Sequence, residues 1–221
     1  MKGWNKVSTR CYIAGAGEFC DREMPEKSDY VIAADGGYAE LVKRGAVPDL
    51  VVGDFDSLGS IPEHPNVIKI PAEKDDTDIL FAVRQGMVRG FCTFIINGGL
   101  GGRLDHTLAN IQILAYLAGN GARGILLGYD MCATAVTNGS LRFTQCVSGV
   151  ISVFCVGDKA RGVTLTGLKY PLDNAELAYG FPLGVSNEFT GISAEITVRD
   201  GTLIVIWQGG TGNLEGETCR E

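Results

Sequence analysis

Residues 92–107 read CTFIINGGLGGRLDHT, and this stretch decides the fold class. Its first part, Cys92 to Asn97, is a short apolar run of the kind that forms a fully buried strand. Glycines at positions 98, 99, 101 and 102 then form a loop, and Leu104 to Ala118 carries the apolar spacing of a helix. A buried strand, a glycine-rich loop and a helix in this order indicate one unit of an α/β domain with a parallel sheet.

The same alternation extends from residue 10 to about residue 128. Helical spacing recurs in Gly37–Arg44 and Thr77–Arg89. Short apolar runs that predict further strands lie at Arg10–Ala14, Tyr30–Ala34, Leu50–Val52, Val67–Ile70 and Gly124–Leu127. Because strands and helices alternate, we expect right-handed crossovers and a mostly parallel sheet with helices on both faces.

After Tyr129 the helical pattern gives way to short β-rich segments separated by Gly, Asn and Asp. They are Cys132–Val136, Ser140–Phe143, Val150–Val156, Gly162–Thr166, Ile192–Arg199 and Thr202–Trp207. The dipeptide Asp200–Gly201 between the last two predicts a hairpin turn, since both residues accept a positive φ. We therefore expect an α/β domain over residues 1–129, followed by a smaller antiparallel β-sandwich over residues 130–221.

Composition excludes several classes of protein. With 45% hydrophobic and 20% charged residues among 221, the chain is typical of a folded globular protein. A net charge of −7 argues against a nucleic-acid-binding face, which needs clustered Lys and Arg. The longest uncharged stretch, Thr107–Ala122, is too polar for a membrane span, and no apolar signal region precedes Glu18, so a cytoplasmic protein is expected. Its seven cysteines form no C-x-x-C pair and are expected to be buried, reduced thiols.

Polar residues follow three of the expected strands, where each strand ends. They are Asp35, Asp54 and Asn97. Ligands of open α/β sheets bind beyond the carboxyl ends of the strands, so we expect these residues on one rim. The weak motif Gly15–Gly17 after the first strand lacks the third glycine of a dinucleotide fingerprint and indicates only backbone close to a nucleotide.

The run Gly53–Ser57 places two carboxylates two residues apart. In extended backbone the side chains of Asp54 and Asp56 would point the same way, and their repulsion would be relieved by a hard divalent cation such as Mg²⁺. A solvated loop whose Asp caps a helix is the alternative. Further along, the run Lys74–Asp78 precedes a helix. Either Asp76 or Thr77 caps that helix, with acids near its first turn favouring its dipole, or Asp78 or Asp75 faces the same metal as Asp54 and Asp56, with Lys74 directed at phosphate oxygens.

The glycine loop has the features of a phosphate site. Glycines let backbone N–H groups turn towards an anion, the following helix N-terminus is positive, and Arg103 can make forked bonds to phosphate. His106 is either a general base or a residue that hydrogen-bonds at the helix start. No G-x-x-x-x-G-K-[ST] motif occurs, which excludes a P-loop.

Together these clusters resemble the thiamine pyrophosphokinase family over nearly the whole chain. The resemblance rests on the ordered motifs Ala34–Gly37, Pro48–Asp49 with Gly53–Ser57, Asp75–Asp78 and Gly98–His106, and on Ser186–Glu188 in the β-rich half. It implies Mg²⁺-dependent transfer of a pyrophosphoryl group from ATP to thiamine, which yields thiamine diphosphate and AMP. It also implies a homodimer whose active site lies between the α/β domain of one subunit and the β-sandwich of the other.

The resemblance further implies roles for individual residues. Asp54, Asp56 and Asp78 would hold magnesium. The nucleotide and phosphate site would be lined by Asp35, Gly36, Gly98, Gly99, Arg103 and Asp105. Thiamine would meet Asp78, Ser186, Asn187 and an aromatic ring, either that of Phe189 or that of Trp207. The catalytic set of Asp54, Asp56, Asp78, Arg103 and Asp105 would position the phosphates and neutralise their charge, and Asp78 or Asp105 would accept the hydroxyl proton.

Two other classes of function fit parts of the pattern. A nucleotide-sugar glycosyltransferase with a D-x-D metal site would also gather Asp54, Asp56 and a nucleotide on an α/β sheet. A non-enzymatic sensor would bind the nucleotide or thiamine without turnover. The arginine-bearing glycine loop favours phosphoryl transfer over the first of these.

Overall fold

A computed structural model describes residues 10–56, 59–71, 73, 75–144 and 149–215. Ser57 and Lys74, which belong to two of the sequence motifs, lie outside these residues. The chain divides into two compact units. The first contains the residues up to Asn110 together with Leu126–Tyr129, and the second contains Ile111–Ile125 together with the residues from Asp130 onwards.

The α/β region follows the predicted alternation of strands and helices. Its strands are β1 (Cys11–Ala14), β2 (Tyr30–Ala34), β3 (Leu50–Gly53), β4 (Val67–Lys69), β5 (Thr93–Asn97) and β6 (Arg123–Leu127). Its helices are α1 (Gly37–Lys43), α2 (Asp78–Val88) and α3 (Leu104–Gly119). In the first unit the strands lie in the order β4-β3-β2-β1-β5, and every pair is parallel. The prediction of a parallel α/β sheet is confirmed.

Burial explains why these segments form a parallel sheet. Every residue of β1 and of β3 is buried, as expected for strands covered on both faces. Helix α2 buries Ile79, Ala82, Val83 and Gly86, which recur every three or four residues along one face. A Cβ added at Gly86 would lie 2.6 Å from the Phe94 ring and 2.9 Å from Cys11 Sγ. The glycine therefore lets α2 pack directly on the sheet.

The second unit is antiparallel and β-rich, also as predicted. Its long strands are β7 (Met131–Phe143), β8 (Val150–Thr166), β9 (Leu172–Ala178), β10 (Gly184–Glu188) and β11 (Ala194–Gln208). Strand β11 lies between β7 and β8, and β8 also pairs with β9 and β10. Rings of Phe143, Phe189 and Trp207 pack together in its core, with centroids 5.3 and 5.4 Å apart.

The predicted hairpin turn at Asp200–Gly201 is wrong. Strand β11 continues through it in one direction, because Val198 pairs with Gly139 of β7 and Thr202 pairs with Thr137. Gly201 has φ +114° and forms part of a register shift in both strand pairs. A glycine with positive φ serves a β-bulge as well as a turn, and bulges bend long strands. Residues with positive φ also lie inside β7 and β8. The two segments predicted within β7 therefore form one strand, and so do the two predicted within β8.

Four cysteines are buried free thiols, namely Cys11, Cys20, Cys132 and Cys155. The expectation of reduced thiols is wrong for Cys92, which is disulfide-bonded. Cys146 and Cys219 lie outside the described residues. Among the helices of the described chain, none combines the length and hydropathy that a bilayer span requires.

Candidate active site

The strand order of the first unit changes direction at β1. Strands β2, β3 and β4 lie on one side of β1, and β5 lies on the other. Such a switch point leaves a crevice at the carboxyl ends of the strands, because the two adjoining connections leave in opposite directions. A cavity of about 330 Å³ lies here. Its walls are Gly15–Gly17 after β1, Ala34–Asp35 after β2, Thr77–Ile79 at α2, Gly98–Arg103 after β5, and His106 and Asn110 on α3.

The loops after β1 and β5 are held together by backbone contacts. The N–H of Gly17 donates to Gly98 O at 2.7 Å, and the N–H of Glu18 donates to Leu100 O at 2.8 Å. A Cβ added at Gly98 would lie 2.3 Å from Gly15 O, and one added at Gly15 would lie 2.6 Å from Gly98 O. Both glycines are therefore required by close approach of one loop to the other. Gly98 and Gly99 line the cavity together with Gly15–Gly17.

Helix α2 begins at the cavity wall. Its N-cap is Thr77, whose side-chain oxygen accepts a hydrogen bond from Leu80 N at 3.2 Å. Asp76 instead forms an ion pair with Arg84. Asp78 occupies the first turn and lines the cavity, where a carboxylate interacts favourably with the positive end of the helix. The alternative that Asp76 caps this helix is thereby removed.

Asp35 lies at the end of β2 with a backbone conformation that is rare for a non-glycine residue. Its φ is +46°, and its N–H donates to Val52 O at 2.7 Å. Positive φ at a non-glycine residue costs of order 1–3 kcal/mol and persists where the surrounding structure enforces it. Gly36 is the N-cap of α1 and is not among the residues that line the cavity.

Asp54 and Asp56 do not lie on an extended strand, so the prediction that rested on extended backbone between them is wrong. Strand β3 ends at Gly53, and Phe55 between the two carboxylates is buried with φ +64°, so the backbone is not extended. Asp54 Oδ1 accepts a hydrogen bond from Asp56 N at 3.2 Å. Neither carboxylate lines the cavity. A Cβ added at Gly53 would lie 3.0 Å from Asp35 Cα, which puts the start of this turn beside Asp35.

Over the part of the chain that the structure describes, no group of three or more His, Cys, Asp or Glu side chains lies close enough to hold a metal ion. Two carboxylates, those of Asp35 and Asp78, line the cavity itself. Mg²⁺ typically takes one or two protein carboxylates and completes its shell with water and phosphate oxygens. The oxygen donors at this rim therefore suit magnesium that arrives with a triphosphate.

Arg103 and Asp105 form a forked pair at the start of α3. Arg103 Nε donates to Asp105 Oδ1 at 3.1 Å, and its terminal nitrogen donates to Oδ2 at 2.6 Å. These hydrogen bonds lower the pKa of Asp105 to about 2, so its carboxylate is a weak base. Arg103 and His106 line the cavity, whereas Asp105 does not. The side chain of Arg103 is 72% exposed, which leaves its remaining donors accessible to a ligand.

Two buried asparagines hold the glycine loop, of which Asn97 was expected at this rim from the sequence and Asn110 was not. Asn110 Nδ2 donates to Gly99 O at 2.7 Å, and Asn97 Oδ1 accepts from Gly98 N at 2.8 Å. The N–H of Gly98 thus already donates within the protein. Fewer backbone N–H groups of the loop therefore remain to bind phosphate. Asn110 lies one helical turn after His106 on α3. This spacing was the only feature of the sequence that could have placed Asn110 at the cavity.

The candidate thiamine residues in the second unit divide into exposed and buried ones. Ser186 is exposed, with φ +57°, and its N–H donates to Ser152 Oγ at 3.1 Å. Asn187 is buried, and its amide bonds the backbone of Tyr170 twice, at 2.9 and 2.7 Å. Phe189 is 6% exposed and Trp207 is 0% exposed. Burial of both rings in the core argues against stacking of either on a ligand.

Comparison with known proteins agrees with this arrangement in both units. Residues 22–126 match the family model described as the thiamin pyrophosphokinase catalytic domain, and residues 140–203 match that of the thiamin pyrophosphokinase vitamin B1 binding domain. The chain belongs to the thiamin pyrophosphokinase family.

Individual members of the thiamin pyrophosphokinase family resemble this chain over most of their length. Thiamin pyrophosphokinase 1 of Caenorhabditis elegans is 29% identical over 181 residues, which cover 74% of this chain and 73% of that protein. Thiamine pyrophosphokinase of Bacillus subtilis is 29% identical over 182 residues, which cover 79% of this chain and 85% of that protein. A crystal structure of thiamine pyrophosphokinase from Bacillus subtilis superimposes with a TM-score of 0.81 at 25% identity, covering 91% of this chain and 100% of that one.

Proposed function

We propose that this chain is a thiamine diphosphokinase, which transfers the pyrophosphoryl group of ATP to thiamine. The hydroxyethyl oxygen of thiamine attacks the β-phosphorus, and the bond from that phosphorus to the oxygen of the α-phosphate breaks. Thiamine diphosphate and AMP form, and the hydroxyl proton is released. The observation that carries the proposal is the glycine-walled cavity at the switch point, whose lining residues from Ala34 onwards lie inside the segment matching the family's catalytic domain.

In this proposal the triphosphate is bound by backbone N–H groups and by the guanidinium of Arg103. Residues 99–102 of the glycine loop line the cavity, and the N-termini of α2 and α3 adjoin the cavity as well. Helix N-termini and glycine amides attract phosphate without a Walker motif. Arg103 adds guanidinium donors, and Asp105 orients this guanidinium through the forked pair. Since the pKa of Asp105 is lowered, we assign it this orienting role and not proton acceptance.

Magnesium, when bound, neutralises charge on the phosphate oxygens. We keep Asp54, Asp56 and Asp78 as its proposed protein ligands, with Asp78 at the cavity wall and Asp54 in the turn beside Asp35. One or two of these carboxylates suffice for an ion that also binds phosphate and water. Asp35 adds negative charge at the same rim and lines the nucleotide site.

The thiamine contact is proposed at Ser186 and the residues tied to it. Asn187 holds the backbone of Tyr170 to this motif, and Tyr170 is 56% exposed. Lys169 Nζ already lies 5.4 Å from the centroid of the Tyr170 ring, so this ring accepts a cation on its face. Thiamine is itself a cation, and Tyr170 therefore replaces Phe189 and Trp207 as the proposed stacking residue.

A homodimer is proposed in which each active site combines the α/β domain of one copy with the β-rich domain of the other. Supporting it, the segment before Ser186 exposes large apolar side chains, namely Tyr179, Phe181 and Leu183. Contiguous exposed apolar residues mark interaction surfaces more often than free surface. We propose a cytoplasmic location for this enzyme.

The two other classes of function are less favoured. A D-x-D glycosyltransferase is less favoured because both family models that match this chain describe thiamin pyrophosphokinase domains. A sensor would bind ATP or thiamine and release both unchanged. Turnover decides between the sensor and the enzyme.

The test is a ³¹P NMR time course with ATP, thiamine and MgCl₂. We expect the ATP signals to be replaced by those of AMP and thiamine diphosphate. Accumulation of ADP would reveal transfer of the γ-phosphate and would contradict the proposal, as would the absence of any turnover. Asp78→Asn should lower kcat/KM by about 10²-fold or more, which corresponds to ~2.7 kcal/mol of transition-state stabilisation. Asp130→Asn, an exposed carboxylate in the second unit, is the matched control.

A further inference from the structure

A buried polar network lies directly beneath the cavity. Asn97 at the end of β5 has no solvent exposure, and its side chain makes four hydrogen bonds. Its Oδ1 accepts from Cys20 N and Gly98 N, each at 2.8 Å. Its Nδ2 donates to Cys20 O at 2.8 Å and to the Tyr12 hydroxyl at 2.7 Å. One side chain thus joins the loop after β5 to the end of the loop after β1.

The hydroxyl of Tyr12 keeps this network in one state. It donates to Glu23 O at 3.0 Å while accepting from Asn97. Burial raises the pKa of Tyr12, so the phenol stays protonated at working pH and remains able to donate. The network is therefore satisfied at each of the atoms described, as a buried polar cluster must be to stabilise a structure.

A second asparagine holds the next peptide of the same loop. Asn110 on α3 is 4% exposed, and its Nδ2 donates to Gly99 O at 2.7 Å. A Cβ added at Gly99 would lie 3.3 Å from this Nδ2, so the side chain packs against the loop. The peptides of Gly98 and Gly99 are consequently held from below by Asn97 and from the helix by Asn110.

We infer that Asn97 and Asn110 are positioning residues that hold the glycine loop in the geometry required to bind the phosphates of ATP. The inference rests on the proposed function. Both polar atoms of Asn97 and the amide nitrogen of Asn110 are engaged within the protein, so we assign these groups an effect on the nucleotide through Gly98 and Gly99. Their loss should therefore weaken nucleotide binding and leave thiamine binding unchanged.

The experiment measures the Kd for ATP with MgCl₂ and without thiamine, by isothermal titration calorimetry. Asn110→Leu has a similar volume and removes the donor to Gly99 O. Because the buried carbonyl of Gly99 loses its donor, we expect the loop to be displaced and the Kd for ATP to rise roughly 10-fold. In steady-state assays KM for ATP should rise by the same factor while KM for thiamine stays constant. Asn97→Asp, which removes both donations to Cys20 O and Tyr12, should act in the same direction.

Tyr12→Phe is the matched control. It removes one partner of Asn97 but leaves all three bonds from Asn97 to the two loops, so it should lower Tm without changing the Kd for ATP. The inference is overturned if Asn110→Leu binds ATP like the wild type, or if Tyr12→Phe weakens binding as much as Asn110→Leu does. Should Asn97→Asp fail to fold, Asn110→Leu still decides the matter. A wild-type chain that binds no ATP would instead remove the proposed function, and with it the premise of this inference.

Discussion

Substitution of Gly98 by alanine should destabilise the first unit much more than the same substitution at Gly102. Both glycines have nearly the same left-handed backbone, with φ +69° and +65°, so alanine pays the same conformational penalty at each, about 1–2 kcal/mol. They differ in their surroundings. A Cβ at Gly98 would lie 2.3 Å from Gly15 O, whereas a Cβ at Gly102 meets nothing within 4 Å.

The extra cost at Gly98 is that of overpacking against backbone, about 1–3 kcal/mol. We therefore expect losses of about 2–5 kcal/mol for Gly98→Ala and about 1–2 kcal/mol for Gly102→Ala. Urea unfolding followed by circular dichroism measures both, provided that the m-values agree with that of the wild type. Equal losses in the two variants would refute the view that contact between the loops after β1 and β5 requires glycine at position 98.

Two further predictions concern charge. Arg103 lowers the pKa of Asp105 to about 2, so their favourable interaction is fully present above the unfolded pKa of Asp and is lost as pH falls through about 2. In Arg103→Gln, a carboxyl NMR titration should show the midpoint of Asp105 return towards 3.8. An unchanged midpoint would contradict the forked pair. Tyr170→Leu should raise KM for thiamine roughly 2- to 30-fold, the equivalent of a cation–π contact of ~0.5–2 kcal/mol, while Tyr170→Phe retains most of the binding; equal effects of the two variants would exclude stacking.

The sequence predicted the first unit closely because its signals are local. Fully buried parallel strands are continuous apolar runs, and β2 was predicted with its observed limits, Tyr30–Ala34. In the second unit the runs were correct but their connections were not. Asp200–Gly201 permits a turn or a bulge equally, and only the pairing partners on β7 and β8 decide between them. Strand β9 was missed because its sequence, LDNAELA, has no β-branched or aromatic residue and includes Asp, Asn and Glu.

The candidate site shows the same division between local and distant information. The residues after β1 and β2 and the glycine loop after β5 line one cavity, since the topology of a parallel sheet brings these strand ends to one rim. The conformation of Phe55 was not foreseeable, because a positive φ at a bulky residue depends on its surroundings. The burial of Trp207 and Phe189 was not foreseeable either. An aromatic residue near a motif can pack in the core or contact a ligand, and the sequence does not distinguish the two.

The hydrogen bonds of Asn97 also constrain the order in which the molecule folds. Its bonds with Cys20 and Tyr12 connect positions that are 77 and 85 residues apart in the sequence. These bonds form only after β1 and β5 have become neighbours. Contacts of such long sequence separation close late, because the chain entropy lost in bringing them together is recovered only when many contacts form at once. We therefore expect the glycine loop to acquire its shape only after β1 and β5 have paired, and a chain in which these strands are unpaired to bind no nucleotide.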